Sequence, residues 1–228
     1  MTERQATLLK HLIETYIDSA EPVASALLAQ SVRVSSATVR NDMANLETDG
    51  FIEQPHTSAG RVPTIKGYQH YLASFLQPQD PSIAQKKLLD EAFQADSPIR
   101  SVAKVLADEA GLAVMVALSE YDFYYTGLSR LFAQPEFMRQ DLVISISSVL
   151  DALDEALREV WQSTQDETRI LLGEENPFSP QTSLILRRAP VNEKQRGLIG
   201  ILGPTRLNYH RTTGLIEHAT MTLTNHYT

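Results

Sequence analysis

The stretch VSSATVRNDMANLETDGFIEQ, residues 34–54, decides how the first third of the chain folds. Ser35 stands where a serine caps the start of a helix, and Gly50 stands where a glycine ends one. Between them, three apolar residues recur at intervals of four and three, which places them on one helix face: Val39, Met43 and Leu46. We therefore predict a helix from about Ser35 to Gly50, and a short strand over the four residues that follow it.

Two more helical patterns precede this stretch. The first has one apolar face, which consists of Leu8, Leu9, Leu12, Ile13, Tyr16 and Ile17. The second helix is expected to open at Pro22, because proline suits the first position of a helix, and to bury Val23, Leu27 and Leu28. Beyond the strand, residues 56–60 are typical of a loop and residues 61–62 of a return strand, and Thr64 suits the cap of a fourth helix that ends near Leu76.

Three helices followed by a strand, a loop and a strand are the order of a winged helix-turn-helix, an architecture that reads DNA. With the apolar stripe of the third helix turned inward, the opposite face carries small and polar residues. Small side chains allow a helix to sit deep in the major groove. Arg40 has the chemistry to pair with guanine or to hold a phosphate, and Asn41 to pair with adenine. The predicted DNA contacts come from this helix and from the loop: Ser35, Ser36, Thr38, Arg40, Asn41, His56, Ser58 and Arg61. From the residues alone, a helical bundle with a solvated polar face is an equal alternative.

The composition limits the classes of function. The 228 residues include no cysteine, which excludes disulfides, thiolate-bound zinc and a thiol nucleophile. Hydrophobic residues at 43% and charged residues at 21% are typical of a globular protein. The net charge of -8 argues against nonspecific coating of nucleic acid, so DNA binding would depend on particular side chains. The polar start of the chain and its short apolar runs predict a cytoplasmic protein with no membrane partner.

The remainder of the chain predicts a second domain. Residues 1–76 form the helical unit, the proline-containing segment 77–98 is expected to be a linker with a short helical patch, and residues 99–228 alternate between helices and strands. Helices are predicted over about 99–110, 138–162 and 207–225, and strands over 112–118, 121–125, 168–172, 183–187 and 198–202. This interleaving makes the predicted fold class α+β, with a winged helix followed by a mixed α/β domain.

Three other patterns have ordinary structural interpretations. The glycines of the segment 197–203 lack the Gly-Lys-Ser/Thr ending of a phosphate loop, so we expect a strand with a close backbone approach. The segment 174–176 lies beside a proline and indicates a turn. The six histidines show no metal-ligand spacing, and His218 and His226 are expected at the surface. We therefore expect no metal, no cofactor and no catalytic set, and an enzyme that uses the loops of residues 173–206 is the least favoured alternative.

The motifs of the first domain resemble those of one known family. The run over residues 34–43, the string GFIEQPHTSAGRVPT over residues 50–64 and the Lys-Gly-Tyr at 66–68 are similar to the DNA-binding domain of the HrcA family. Four later segments are similar to the C-terminal region of that family: residues 127–131, 134–137, 173–177 and 200–206. HrcA proteins are heat-inducible repressors of bacterial chaperone operons, so the resemblance implies a transcription repressor.

The resemblance also implies partners. It implies an operator of the CIRCE type, which is an inverted repeat upstream of the GroE and DnaK chaperone genes, and it implies a homodimer whose two-fold symmetry matches that repeat. It further implies a GAF-like second domain with regulatory and dimerisation roles, and activity supported by the chaperonin GroEL. The alternative is a metabolite-responsive winged-helix repressor with a small-molecule site in the GAF-like domain.

The chain departs from the family pattern at two places. The turn between the second and third helices, residues 31–33, is short and contains no glycine. The family usually carries a long insertion before the Gly-Leu-Ser segment at 127–129 and uses it in dimerisation, whereas only residues 119–126 stand there in this chain. We therefore expect a shortened relative whose dimerisation and regulation differ.

Overall fold

The computed structural model describes residues 1–56, 59–138, 153–163 and 166–227. Ser58, one of the predicted DNA contacts, and residues 139–152, most of the helix predicted over 138–162, lie outside the described residues. The chain divides into two compact units, Met1–Gln77 and Pro78–Thr228. Helices and strands alternate along it, so the protein is mixed α/β.

The first unit begins with three helices, α1 (Glu3–Ser19), α2 (Ser25–Val32) and α3 (Ser36–Thr48). Helix α1 is capped by Thr2, whose hydroxyl accepts the Gln5 N–H at 3.3 Å. As its pattern predicts, α1 buries Leu8, Leu9, Leu12 and Ile13. Helix α3 starts after the predicted Ser35 cap, ends just before Gly50, and buries the predicted stripe of Val39, Met43 and Leu46.

The start of α2 differs from the prediction. The helix opens at Ser25 and not at Pro22, because the backbone of Val23 is extended and pairs with that of Arg61. The Val23 N–H donates to the Arg61 carbonyl at 2.9 Å, and the Arg61 N–H donates to the Val23 carbonyl at 3.0 Å. Val23 and Leu28 are buried as expected, but Leu27 is 50% exposed, so the prediction that Leu27 is buried is wrong.

A two-stranded ribbon and a helix complete the first unit. Strand β1 (Ile52–Glu53) pairs antiparallel with β2 (Val62–Pro63). Strand β1 lies within its predicted region, whereas β2 begins one residue later than predicted and shares only Val62 with the predicted return strand. Helix α4 (Ile65–Phe75) begins after Thr64, whose hydroxyl accepts the Gly67 N–H at 3.1 Å. The ribbon therefore leaves α3 and returns directly to α4.

Residues 78–98 belong to the second unit and are not a free linker. This segment contains helix α5 (Ile83–Phe93), which is capped by Ser82 and buries Leu89 and Phe93. Helix α5 packs against α6 (Pro98–Ala110), which ends at Gly111 as predicted. The prolines that suggested a linker flank α5 without interrupting it, so they mark the ends of a helix that has its own packing partner.

A five-stranded antiparallel sheet forms the centre of the second unit. Its strands stand in the order β4-β3-β7-β6-β5. Their bounds are Ala113–Ala117 for β3, Phe123–Thr126 for β4, Arg169–Leu172 for β5, Thr182–Asn192 for β6 and Gln195–Pro204 for β7. All residues of β3 are buried, so both faces of the sheet are covered. Strands β6 and β7 extend beyond their predictions because they form one long hairpin that closes with Asn192 opposite Gln195.

Helices pack on this sheet. Leu157 and Val160 of α8 (Leu153–Ser163) join Met115 and Leu186 of the sheet in one core cluster, beside α7 (Leu128–Phe132). Helix α9 (Tyr209–Tyr227) packs against β6 and buries its apolar stripe of Leu215, Ile216, Ala219 and Leu223. None of the described helices is both long and apolar enough to cross a membrane.

Only a tight turn joins β3 to β4. The Leu118 N–H donates to the Asp122 carbonyl at 2.8 Å, and Ala117 pairs with Phe123 directly across the hairpin. Residues 119–126 thus form this turn and strand β4. At the place where the resemblance implied a long insertion, this chain forms a simple hairpin.

Candidate nucleic-acid interface

The first turn of α3 is held by hydroxyl groups. Ser35 Oγ accepts the Thr38 N–H at 3.1 Å and lies 2.9 Å from Thr38 Oγ1. A serine cap of this kind contributes about 1 kcal/mol to helix stability. Ser35 is exposed, while Ser36 and Thr38 are half-buried. Two of the predicted DNA contacts, Ser35 and Thr38, therefore also fix the start of the helix.

The outer face of α3 is open and polar. Arg40 and Asn41 are exposed, and neither side chain makes a hydrogen bond or an ion pair within the described part of the chain. The exposed side chains around them are small or short: Ala37, Ala44 and Asn45. Because the buried stripe lies on the opposite side, the helix directs the Arg40 guanidinium and the Asn41 carboxamide outward, as its pattern predicts.

A buried charge on the inner side of α3 escaped the sequence prediction. Asp42 is 4% exposed, and Arg4 of α1 holds its carboxylate with Nε 2.7 Å from Oδ2 and Nη2 3.0 Å from Oδ1. The hydrogen bond to Asp42, and then its charge, raise the pKa of Arg4 above its usual value. This two-pronged contact ties α3 to α1 and acts together with the buried stripe, which sets the outward direction of Arg40 and Asn41. The sequence signal was the position of Asp42 three residues after Val39, which places it on the inward face.

The loop between β1 and β2 is held at its base. Gln54 Nε2 donates to the Ala59 carbonyl at 3.1 Å. A Cβ on Gly60 would lie 2.5 Å from the carbonyl carbon of Val23, so only glycine fits there. His56 is exposed. Of the predicted loop contacts, His56 is therefore available to an outside partner.

Arg61 is engaged by the protein itself. Its Nε donates to Glu47 Oε2 at 3.0 Å, its Nη2 lies 2.9 Å from the same oxygen, and its side chain is 22% exposed. Since Glu47 belongs to α3, this pair braces the ribbon against that helix. The sequence placed Arg61 among the DNA contacts, whereas in this structure a phosphate would first have to displace Glu47.

Two more features lie beside α3. A concavity of about 400 Å³ is lined by the start of α2, by Arg40 and Met43 of α3, and by residues 59–61. Arg33, in the turn before α3, is exposed and makes no hydrogen bond or ion pair with the described residues. It adopts the left-handed conformation, with φ 55°, at the position where a glycine is usual. Sequence reasoning noted the missing glycine but did not include Arg33 among the contacts.

The motifs set aside in the second unit have structural roles. A Cβ on Gly197 would lie 2.5 Å from the Ala117 carbonyl oxygen, so this glycine permits the close strand approach that was predicted. Asn176 is buried and donates to Thr182 Oγ1 at 2.8 Å, which stabilises the predicted turn. Within the described ranges, no group of three or more His, Asp or Glu side chains is placed to hold a metal ion.

Comparisons with known proteins identify relatives over nearly the whole chain. A family model described as HrcA protein C terminal domain matches residues 24–213. The heat-inducible transcription repressor HrcA of Halalkalibacterium halodurans is 24% identical, with 98% of this chain and 97% of the relative covered. The repressor of the same name from Acaryochloris marina is 39% identical over 128 residues, which are 53% of this chain and 35% of the relative. A crystal structure of a hypothetical protein at 2.2 Å resolution shares the fold, with a TM-score of 0.80, 17% identity, and coverage of 100% of this chain and 98% of that chain.

The alignment also shows how this chain differs in length. The alignment with the Halalkalibacterium halodurans protein extends over 333 positions, whereas this chain has 228 residues. More than a hundred aligned positions therefore contain no residue of this chain. The expectation of a shortened relative is confirmed.

These similarities place the chain among the heat-inducible transcription repressors and not among enzymes. More narrowly, it belongs to the HrcA family, whose model matches well over half of its residues.

Proposed function

We propose that the first unit is a winged helix-turn-helix that inserts α3 into the major groove of an inverted-repeat operator of the CIRCE type upstream of chaperone genes. The observation that carries this proposal is the exposed, unengaged pair Arg40 and Asn41 on a helix whose opposite face is buried. The order of three helices, ribbon and helix supports it. An occupied operator blocks the polymerase, and this steric block is the repression.

Arg40 and Asn41 carry the functional groups for base recognition. A guanidinium donates two parallel hydrogen bonds to O6 and N7 of guanine, and a carboxamide pairs with N6 and N7 of adenine. Ala37 and Ala44 leave room for the helix to approach the base edges. The contact between Arg4 and Asp42 sets the angle at which these groups enter the groove.

Other groups are proposed to contact the DNA phosphates. Arg33 and Ser36 stand at the N-terminal end of α3, where the helix dipole and free N–H groups favour an anion. His56 and Ser58, which lie between β1 and β2 in the sequence, are the proposed contacts to a neighbouring stretch of DNA backbone. Residues 1–72 hold six lysines and arginines against eight carboxylates, so we expect weak nonspecific affinity and strong dependence on these local contacts.

The second unit acts as a GAF-like regulatory and dimerisation domain in this proposal. A homodimer about a two-fold axis matches an inverted repeat. The chaperonin GroEL is the proposed partner that maintains the binding-competent state, and heating lowers the competent fraction, which weakens apparent binding. The proposed location is the cytoplasm, where chromosomal operators are accessible.

A gel-shift titration tests the operator. We expect the full inverted repeat to bind at least about 1,000-fold more tightly than a random duplex of equal length, and a single half-site to bind much more weakly than the full repeat. Equal affinity for all three duplexes would overturn the proposal. Equal affinity for the half-site and the full repeat would overturn the dimer.

A second titration tests the thermal response. After mild heating without chaperonin, we expect the fraction of protein that binds the operator to fall, and we expect added GroEL to restore it. Unchanged binding after heating would remove the thermal element of the proposal, while operator recognition would stand on the first titration.

A further inference from the structure

An open cavity in the second unit lies outside the candidate DNA interface of the first unit. It has a volume of about 560 Å³ and lies among residues 78–81, strands β6 and β7, and helix α9. This volume is in the range of small-molecule sites. We propose that the cavity binds a small zwitterion, from a free amino acid to a short peptide, between Arg187 and Arg196 and the carboxylates beside them.

The lining of the cavity carries both signs of charge in equal number. It contains three arginines and three carboxylates: Arg187, Arg188, Arg196, Asp80, Asp166 and Glu217. Such a lining offers a simple anion no net attraction. A ligand with one carboxylate and one ammonium group finds a charged partner for each end, so the chemistry favours a zwitterion over a phosphate or a diacid.

The charged groups are held in position by their neighbours. Arg187 Nη1 donates to Thr168 Oγ1 at 3.0 Å and lies 3.7 Å from Glu217 Oε1. Thr168 Oγ1 in turn donates to that same oxygen of Glu217 at 2.9 Å. Across the cavity lining, Arg196 Nη2 donates to Asp166 Oδ1 at 2.8 Å. A ligand with both charges can exchange its own carboxylate and ammonium groups for these internal partners, so that no charge is left unbalanced.

His218 supplies an independent sign of a missing partner. It lines the cavity and is half-buried, which corrects the expectation that it lies at the surface. Its Nε2 atom is buried and has no hydrogen-bond partner in the described part of the chain. Since buried polar atoms are nearly always hydrogen-bonded, we expect this atom to take a partner from outside the described chain.

The cavity wall includes the segment that follows the first unit. The Gln79 N–H donates to the His210 carbonyl at 2.8 Å, and a Cβ on Gly214 would lie 1.8 Å from the Gln79 carbonyl oxygen. Residues 78–81 can therefore lie on α9 only because position 214 is glycine. A ligand in the cavity contacts the residues directly after Gln77, where the first unit ends, and thereby changes operator affinity. This last consequence rests on the proposed function.

Thermal unfolding of the full chain tests the site. The probes are free alanine, tri-alanine with free termini, and tri-alanine blocked by N-acetylation and C-amidation. We expect a charged probe at about five times its Kd to raise Tm by about 2–4 °C, and the blocked peptide to have no effect. No shift with alanine or tri-alanine up to about 10 mM, or an equal shift with the blocked peptide, would overturn the proposal.

Variants locate the binding. Arg187→Gln and Arg196→Gln should each weaken tri-alanine binding at least about tenfold, which corresponds to loss of one charged contact. Arg130→Gln is the matched control, because Arg130 pairs with Asp108 in the same unit and does not line the cavity. Arg196 is half exposed, so its replacement leaves the fold intact. Unweakened binding in both cavity variants would place the peptide elsewhere and overturn the site.

Operator titrations with and without tri-alanine separate this site from the proposed function. A rise in Tm without any specific operator binding would overturn the repressor mechanism and leave the zwitterion site standing. Specific operator binding without any rise in Tm would overturn the site alone. A rise in Tm together with unchanged operator affinity would overturn the regulatory consequence.

Discussion

The two units use their arginines in different ways. In the first unit, Arg4 and Arg61 contact carboxylates, but Arg33 and Arg40 are exposed and make no ion pair with the described residues. In the second unit, Arg187, Arg196 and Arg206 each contact a carboxylate. A paired arginine has its charge balanced internally, whereas an unpaired one is available to an outside polyanion. A negative net charge therefore does not exclude DNA binding when a few arginines beside one helix have no internal carboxylate partner.

The largest expected effect concerns the packing beneath α3. Leu46 is fully buried, whereas Leu27 of the neighbouring helix is 50% exposed. We expect Leu46→Ala to lower the free energy of unfolding by about 2–4 kcal/mol through lost burial and a cavity, and Leu27→Ala to change it by less than about 1 kcal/mol. Urea unfolding of both variants measures the two changes in the free energy of unfolding. Equal losses would show that α2 and α3 do not pack as described.

The next effect tests the contrast between paired and free arginines. Arg206 is 13% exposed and is bound by Glu136. We expect Arg206→Gln to lower the free energy of unfolding by about 1–3 kcal/mol, because it leaves the Glu136 carboxylate without its partner. Arg40→Gln should lower it by less than about 0.5 kcal/mol. Thermal and urea unfolding compare them, and a large loss from Arg40→Gln would contradict its description as unengaged.

A smaller effect concerns the contact that orients α3. Arg4→Lys keeps the charge but loses the two-pronged geometry. We expect operator affinity to fall by about tenfold because Arg40 and Asn41 are misdirected, while affinity for random DNA stays unchanged. Lys10→Gln, on the same helix, is the control. If Arg4→Lys weakens both duplexes equally, Arg4 contacts DNA itself or only stabilises the fold.

The smallest effect concerns the turn before α3. We expect Arg33→Gly to raise the free energy of unfolding by up to about 1 kcal/mol, because glycine adopts the left-handed conformation without strain. The slope of log affinity against log salt should fall by about one, because one phosphate contact is lost. Arg33→Ala should show the loss of slope without the gain in stability. If the glycine variant is less stable than the parent, the left-handed conformation of Arg33 does not strain the backbone.

Local patterns predicted the elements that depend on near neighbours. The cap at Ser35, the stripe that includes Val39, and the helix end at Gly111 all follow from residues a few positions apart. The outward direction of Arg40 and Asn41 follows from that stripe, so this part of the candidate interface was predictable. That the chain is a shortened relative could also be predicted, because chain length is a property of the sequence itself.

Long-range pairing produced the differences. Val23 is extended because its backbone partner is Arg61, which lies far along the chain. Asp42 is buried because Arg4 reaches it from α1, and Arg61 is occupied because Glu47 lies opposite. Such contacts depend on how the helices and strands pack against one another. They cannot be predicted from the spacing of residues along a single helix or strand.

The most direct test of the account is the affinity of Arg40→Ala for the inverted-repeat operator and for a random duplex, with Arg130→Ala as control. We predict a loss of about 1–3 kcal/mol on the operator and almost none on the random duplex, since a base contact carries the discrimination. Unchanged operator affinity, or an equal loss on both duplexes, would contradict the claim that the outer face of α3 reads the bases.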